Sequence, residues 1–130
     1  MSDENVEIVR GAYTDFNRGN TPGVLARLAD DVAWTEPGDG FAPSGTFIGP
    51  EAVGREVLAQ VPESFDAFAA EPDDFRDEGD IVIVTGRFKG KAKTGAELDS
   101  SFEHEFELRD GKVIRFENRP DPDAWAAAWA

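Results

Sequence analysis

A chain of 130 residues with 27 acidic against 13 basic side chains carries a formal charge of −14, and a pI near 4.3 sets it against nucleic-acid backbones and anionic membrane surfaces. The length suits one domain spanning residues 1–130 around a single core, and the absence of cysteine removes disulfides and thiol chemistry. No apolar run is long enough to cross a bilayer and no basic segment precedes an apolar one, so the expectation is a soluble cytoplasmic protein; the acidic, lysine-poor surface further predicts a halophilic source, where salt screens self-repulsion.

Val6, Val9, Tyr13 and Phe16 recur at helical spacing and predict a first helix ending near Arg18-Gly19-Asn20. Thr21 before Pro22 reads as an N-cap with proline at the first helical position, opening a second helix to about Ala29. Asp30 to Glu36 alternates, with Val32, Trp34 and Glu36 on one side, and predicts a first strand. A Pro/Gly-rich loop follows from Pro37 to Gly45, then a short strand from Thr46 to Ile48 and a third helix from Gly49-Pro50-Glu51 to about Gln60. Beyond Pro62 the pattern is mostly sheet: about Phe65 to Phe75, Ile81 to Lys91, Glu97 to Arg109 and Lys112 to Asn118. Asp121-Pro122 caps a final helix with Trp125 and Trp129 on one face, read as a lid or subunit contact.

Two registers follow from charge and turn chemistry. A three-residue loop at Thr94-Gly95-Ala96 sets Lys93 against Glu97, Lys91 against Asp99 and Arg87 against Glu103, and on the inner face it sets Phe88 against Phe102 and Gly86 against His104. In that register Gly86 leaves free space beside the histidine. At Arg109-Asp110-Gly111, a type I turn with a glycine bulge pairs Phe106 with Ile114, His104 with Phe116 and Phe102 with Asn118, bringing Asn118 to the face of His104. The strand Phe102 to Leu108 alternates large apolar residues with acids, so the only histidine of the chain projects from an apolar face. It is either a packed core histidine or a pocket residue.

Tyr13 to Asn20, Leu28 to Pro37, Gly45 to Gly49 and Arg109 to Val113, in this order and spacing, resemble the SnoaL-like and ketosteroid-isomerase-like proteins of the nuclear transport factor 2-like superfamily. The resemblance covers nearly the whole chain. It implies an α+β fold in which a cone-shaped, strongly bent antiparallel β-sheet wraps around the N-terminal helices (a cystatin-like α+β barrel), encloses an apolar pocket and commonly forms a homodimer through the sheet. It also implies a general base at a carboxylate directly before a proline after the first strand, the place of Glu36 before Pro37. The second acid of the isomerase-like members falls at His104, their oxyanion tyrosine falls on Ala12 with Tyr13 beside it, and the catalytic aspartate of the cyclases falls at Asn118.

A carboxylate in an apolar cone has its charged form disfavoured, which moves its pKa towards neutrality, as ketosteroid isomerase does in tuning two acids apart. Glu36 is therefore a candidate base, unless it only caps the following loop or joins an ion pair. His104 is the candidate acid, oxyanion donor or proton shuttle, and Asn118 either orients a ligand or closes a sheet end. Tyr13, Trp34, Phe41, Gly86, Phe102, Phe116 and Asn118 make up the candidate ligand-binding set. One histidine, no cysteine and scattered acids such as Asp73, Asp74 and Asp77 suggest no metal, and no phosphate loop, nucleophile elbow or dinucleotide fingerprint suggests a cofactor. Two functions fit: a cofactor-independent acid–base enzyme on a small apolar molecule (isomerase, cyclase, dehydratase or hydrolase type), or a non-catalytic ligand-binding or dimerisation module.

Overall fold

The computed structural model describes residues 2–37 and 44–129, with side chains over 4–37 and 44–125. The elements run α1 (Ser2–Asn17), α2 (Thr21–Leu25), β1 (Leu28–Glu36), β2 (Gly45–Ile48), α3 (Pro50–Val53), a π-helical turn (Gly54–Leu58), α4 (Gln60–Ser64), β3 (Phe65–Glu78), β4 (Ile81–Ala92), β5 (Glu97–Arg109), β6 (Lys112–Pro120) and α5 (Pro122–Trp129). The strands form one sheet in the order β2-β1-β6-β5-β4-β3. All neighbours are antiparallel except β1 and β6, which run parallel. Register breaks in β1/β6, β3 and β5/β6 bend the sheet, and its concave face closes over α1 and α5 into the expected α+β cone.

Alternation drives the layering. Val32, Trp34 and Glu36 of β1, Val82, Val84 and Phe88 of β4, and Phe102, His104, Phe106 and Leu108 of β5 all point inward and are buried, against Val9 and Tyr13 of α1. Asn17, at the end of α1, fastens the helix to edge strand β3: its amide donates to the Ala70 carbonyl at 2.8 Å and accepts from the Ala70 N–H at 2.9 Å. No helix among the described residues is long and apolar enough to cross a membrane.

Several local expectations are corrected. Asn20, not Thr21, caps α2, its side chain accepting from Gly23 N, and Leu28 and Ala29 belong to β1 rather than to that helix. The β4–β5 connection is longer than three residues: Lys91 pairs with Glu97, Lys89 with Asp99, Phe88 with Ser100, Gly86 with Phe102 and Val84 with His104. The turn at Asp110-Gly111 is a two-residue turn with positive φ at both residues, and the extra residue sits in β6 beyond Val113 instead. His104 thereby pairs with Asn118 and Phe106 with Phe116. Each pairing departs from expectation by two residues, which preserves the face of every side chain while changing its neighbour.

The free space expected at Gly86 is absent. A Cβ built there would come within 2.3 Å of the Glu71 carbonyl oxygen and 2.8 Å of the Phe102 ring. Gly86 is a close-approach position that lets β3 and Phe102 pack against β4, not an opening beside the histidine.

Candidate active site

The concave face holds a cavity of about 90 Å³ whose wall is almost wholly apolar, including Phe16, Leu58, Phe68, Phe88, Phe106 and Trp125. That volume has room for several waters or a small organic group. Tyr13, Trp34, Glu36, His104, Phe116 and Asn118 are also on the wall, so six residues of the candidate set meet there. Gly86 and Phe102 are not among the lining residues; the Phe102 ring instead stacks on the imidazole at 3.9 Å between centroids and 10° between planes, supporting it from the side. Phe41 lies outside the described residues, as does the side chain of Trp129. Trp125 is buried in the cavity wall against Phe88.

Five side chains from α1, β1, β5 and β6 form one buried hydrogen-bonded chain. Trp34 Nε1 donates to Glu36 Oε2 at 2.6 Å, and Asn118 Nδ2 donates to Glu36 Oε1 at 2.9 Å. Asn118 Oδ1 lies 2.9 Å from His104 Nε2, and His104 Nδ1 lies 2.5 Å from the Tyr13 hydroxyl. An ionised carboxylate accepts only, so the Asn118 amide must turn its NH₂ to Glu36 and its oxygen to the histidine. Nε2 then carries the ring proton, and bare Nδ1 accepts from the Tyr13 hydroxyl. One charge at Glu36 fixes the direction of every bond in the chain.

Burial sets the titration of each member. Glu36 is pushed up from 4.5 to about 7 by desolvation, against the lowering pull of its bonds from Asn118 and Trp34. Its partners are an amide and an indole, so neither the ion pair nor the loop cap weighed for it describes it. His104 is driven down from 6.5 to about 3, mainly by desolvation, with the Asn118 bond opposing and the Arg119 charge adding to the fall. The ring is therefore neutral at physiological pH and has no imidazolium proton to give, which corrects the reading of His104 as the acid. Tyr13 is raised well above 10.0 by burial and stays a hydroxyl.

Arg27 is a wall residue that sequence reading missed; an arginine embedded in Val24-Leu25-Ala26-Arg27-Leu28 is the signal that was available. Its Nη1 donates to Asp15 Oδ2 at 2.5 Å and to the Gly23 carbonyl at 2.7 Å. The guanidinium holds the Asp15 carboxyl below its usual range. Among the described residues no three histidine or acidic side chains converge as metal ligands would.

Residues 9–116 match the SnoaL-like domain family. The chain belongs to that family. An NTF2-like protein of unknown function from Burkholderia pseudomallei K96243 is 31% identical to this SnoaL-like protein, with 98% of each chain covered and a TM-score of 0.88. TerC, co-crystallised with polyporic acid, is 28% identical over 98% of this chain and 99% of its own, with a TM-score of 0.87. A protein with a ketosteroid isomerase-like fold from Catenulispora acidiphila, in complex with trimethylamine, shares 14% identity over 95% of this chain and 92% of its own at a TM-score of 0.82, a likeness of fold alone. None of the curated proteins matches the chain.

Proposed function

We propose that this SnoaL-like protein is a cofactor-independent acid–base catalyst for a small, largely apolar molecule held in the cone, of isomerase, cyclase, dehydratase or hydrolase type, with Glu36 as the group that takes and returns a proton. One observation carries the reading: a carboxyl on the wall of an apolar cavity whose pKa is raised to about 7, where it is both a competent base and a competent acid. In an isomerisation the Glu36 carboxylate removes a proton from carbon beside a carbonyl, the electron pair moves onto the carbonyl oxygen, and the proton returns at a second carbon, so the step balances without a co-reactant. His104 and Asn118 act as positioning residues that orient Glu36. The co-crystallisation of TerC with polyporic acid supports a small organic ligand for a protein of this fold.

The test is a screen of enones, epoxides and lactones with wild type and Glu36→Gln. A positioned general base contributes a factor of about 10² to 10⁴, and a loss of that size is expected. Equal rates remove Glu36 from the mechanism.

A non-catalytic ligand-binding module is the second reading, favoured by Asn118 standing where the resemblance sets the cyclases' aspartate. Ligand quenching of tryptophan fluorescence without turnover of any screened substrate supports it. A homodimer through the sheet belongs to the same proposal and is checked by sedimentation.

A further inference from the structure

The buried chain between Glu36 and Tyr13 can run in two directions. With Glu36 ionised, the hydrogen bonds point towards it: Asn118 N–H to carboxylate, His104 Nε2–H to Asn118 oxygen, and Tyr13 O–H to Nδ1. In that state the Tyr13 hydroxyl hydrogen is held by the histidine and cannot be offered to a ligand.

A proton arriving on Glu36 breaks this pattern. Trp34 Nε1 only donates, and of the two side chains bonded to Glu36 only Asn118, through its oxygen, can accept the new O–H. A buried O–H facing the Asn118 NH₂ is a donor against a donor, which a half-turn of the amide relieves. Asn118 oxygen then accepts from Glu36 and its NH₂ turns to Nε2; the ring gives its Nε2 proton to water admitted to the cavity and takes one from water at Nδ1, so Nδ1–H donates to the Tyr13 oxygen and the Tyr13 O–H is released. The ring is neutral in both states; only its tautomer changes.

Resting on Glu36 as the proton-accepting group, we propose that Asn118 and His104 form a reversible hydrogen-bond relay that makes Tyr13 a donor towards the cavity only while Glu36 holds a proton. During a proton abstraction that is when an enolate oxygen needs a donor. The reactant state meets no such donor, so the bond is reserved for the charged intermediate. Other groups facing the chain do not compete. Tyr13 from α1 remains protonated, Arg27 at the cavity wall is bonded to Asp15 of α1, Arg119 of β6 acts from the outer face, and β4 and α5 contribute Val84, Phe88 and Trp125, none of which titrates.

The single histidine makes the relay directly observable. Ring ¹⁵N shifts of the intact protein are followed through neutral pH beside the carboxyl ¹³C shift of Glu36. The expected result is a neutral ring that passes from the Nδ1–H to the Nε2–H tautomer as pH rises, at the midpoint of Glu36. A carboxyl that titrates beside an unchanging tautomer overturns the relay and leaves Glu36 as base. A carboxyl ionised throughout overturns the proton-transfer reading, and the relay with it. Glu36→Gln gives a second arm. Its amide oxygen must face the Trp34 N–H, so its NH₂ faces Asn118 and holds the chain in the protonated direction. The Nδ1–H tautomer at every pH is expected, and Nε2–H at every pH overturns the proposal.

Discussion

Strands β5 and β6 present two polar systems separated by one sheet thickness. Inside, His104 and Asn118 stand opposite one another in a buried chain with a single titrating end. Outside, Arg115 bonds Glu105 and Glu107 while Arg119 bonds Glu103, Glu105 and Glu117, in a lattice about a quarter to a half exposed. The alternating residues of the same strands supply both. Exposed pairs exchange one set of solvated partners for another, so they are individually worth little. Buried groups have no substitute partner, so each bond is obligatory and each charge acts on its neighbours. Proton chemistry belongs to the inner system because only there does a neutral carboxyl survive near pH 7.

The contrast is broken most severely by Asn118→Leu. Glu36 Oε1 and His104 Nε2 both lose their partner, and at about 1–3 kcal/mol for each orphaned group the expected loss is about 4 kcal/mol, read from urea midpoints. A loss below about 1 kcal/mol would mean that water replaces the amide freely.

The pH dependence of stability sharpens the contrast next. Glu36 binds its proton more tightly folded, near 7, than unfolded, near 4.5, so its contribution falls as pH rises through that window, by about 3 kcal/mol in all. His104 has the opposite sign: with its folded value near 3 and its unfolded value near 6.5, stability is lost as pH drops through that range. Between pH 4.5 and 6.5 the two slopes oppose. Glu36→Gln removes only the first, so its stability relative to wild type should climb by about 3 kcal/mol from pH 4.5 to 7. A constant difference would show that burial does not displace this carboxyl.

The smallest effect is expected outside. Arg119→Ala should cost less than about 1 kcal/mol despite its three carboxylate partners. Rising potassium chloride should raise the melting temperature of variant and wild type alike, because screening a net charge of −14 outweighs the weakened surface pairs. No gain in salt would reject the halophilic reading.

The two-residue period made most of the inner face legible in the sequence. Glu36, His104 and Asn118 share a face in the expected and the observed register alike, because the two differ by two residues and that preserves parity. The partners were not legible, since they depend on a longer β4–β5 connection and on a bulge within β6, neither of which leaves a distinct signal in residue type. Gly86 was misread for the same reason: absence of a side chain marks either open space or close approach, and only register distinguishes them. Trp34 was read as a ligand-binding residue, while its indole N–H fixes which oxygen of Glu36 receives Asn118.

The parallel pairing of β1 with β6 joins an early strand to the last one, and the Glu36–Asn118 bond spans 82 positions of chain. A nascent polypeptide thus acquires its acid tens of residues before the amide that tethers it. Until β6 docks, that carboxyl remains an ordinary hydrated one, and reactivity arrives with the final ladder of the sheet.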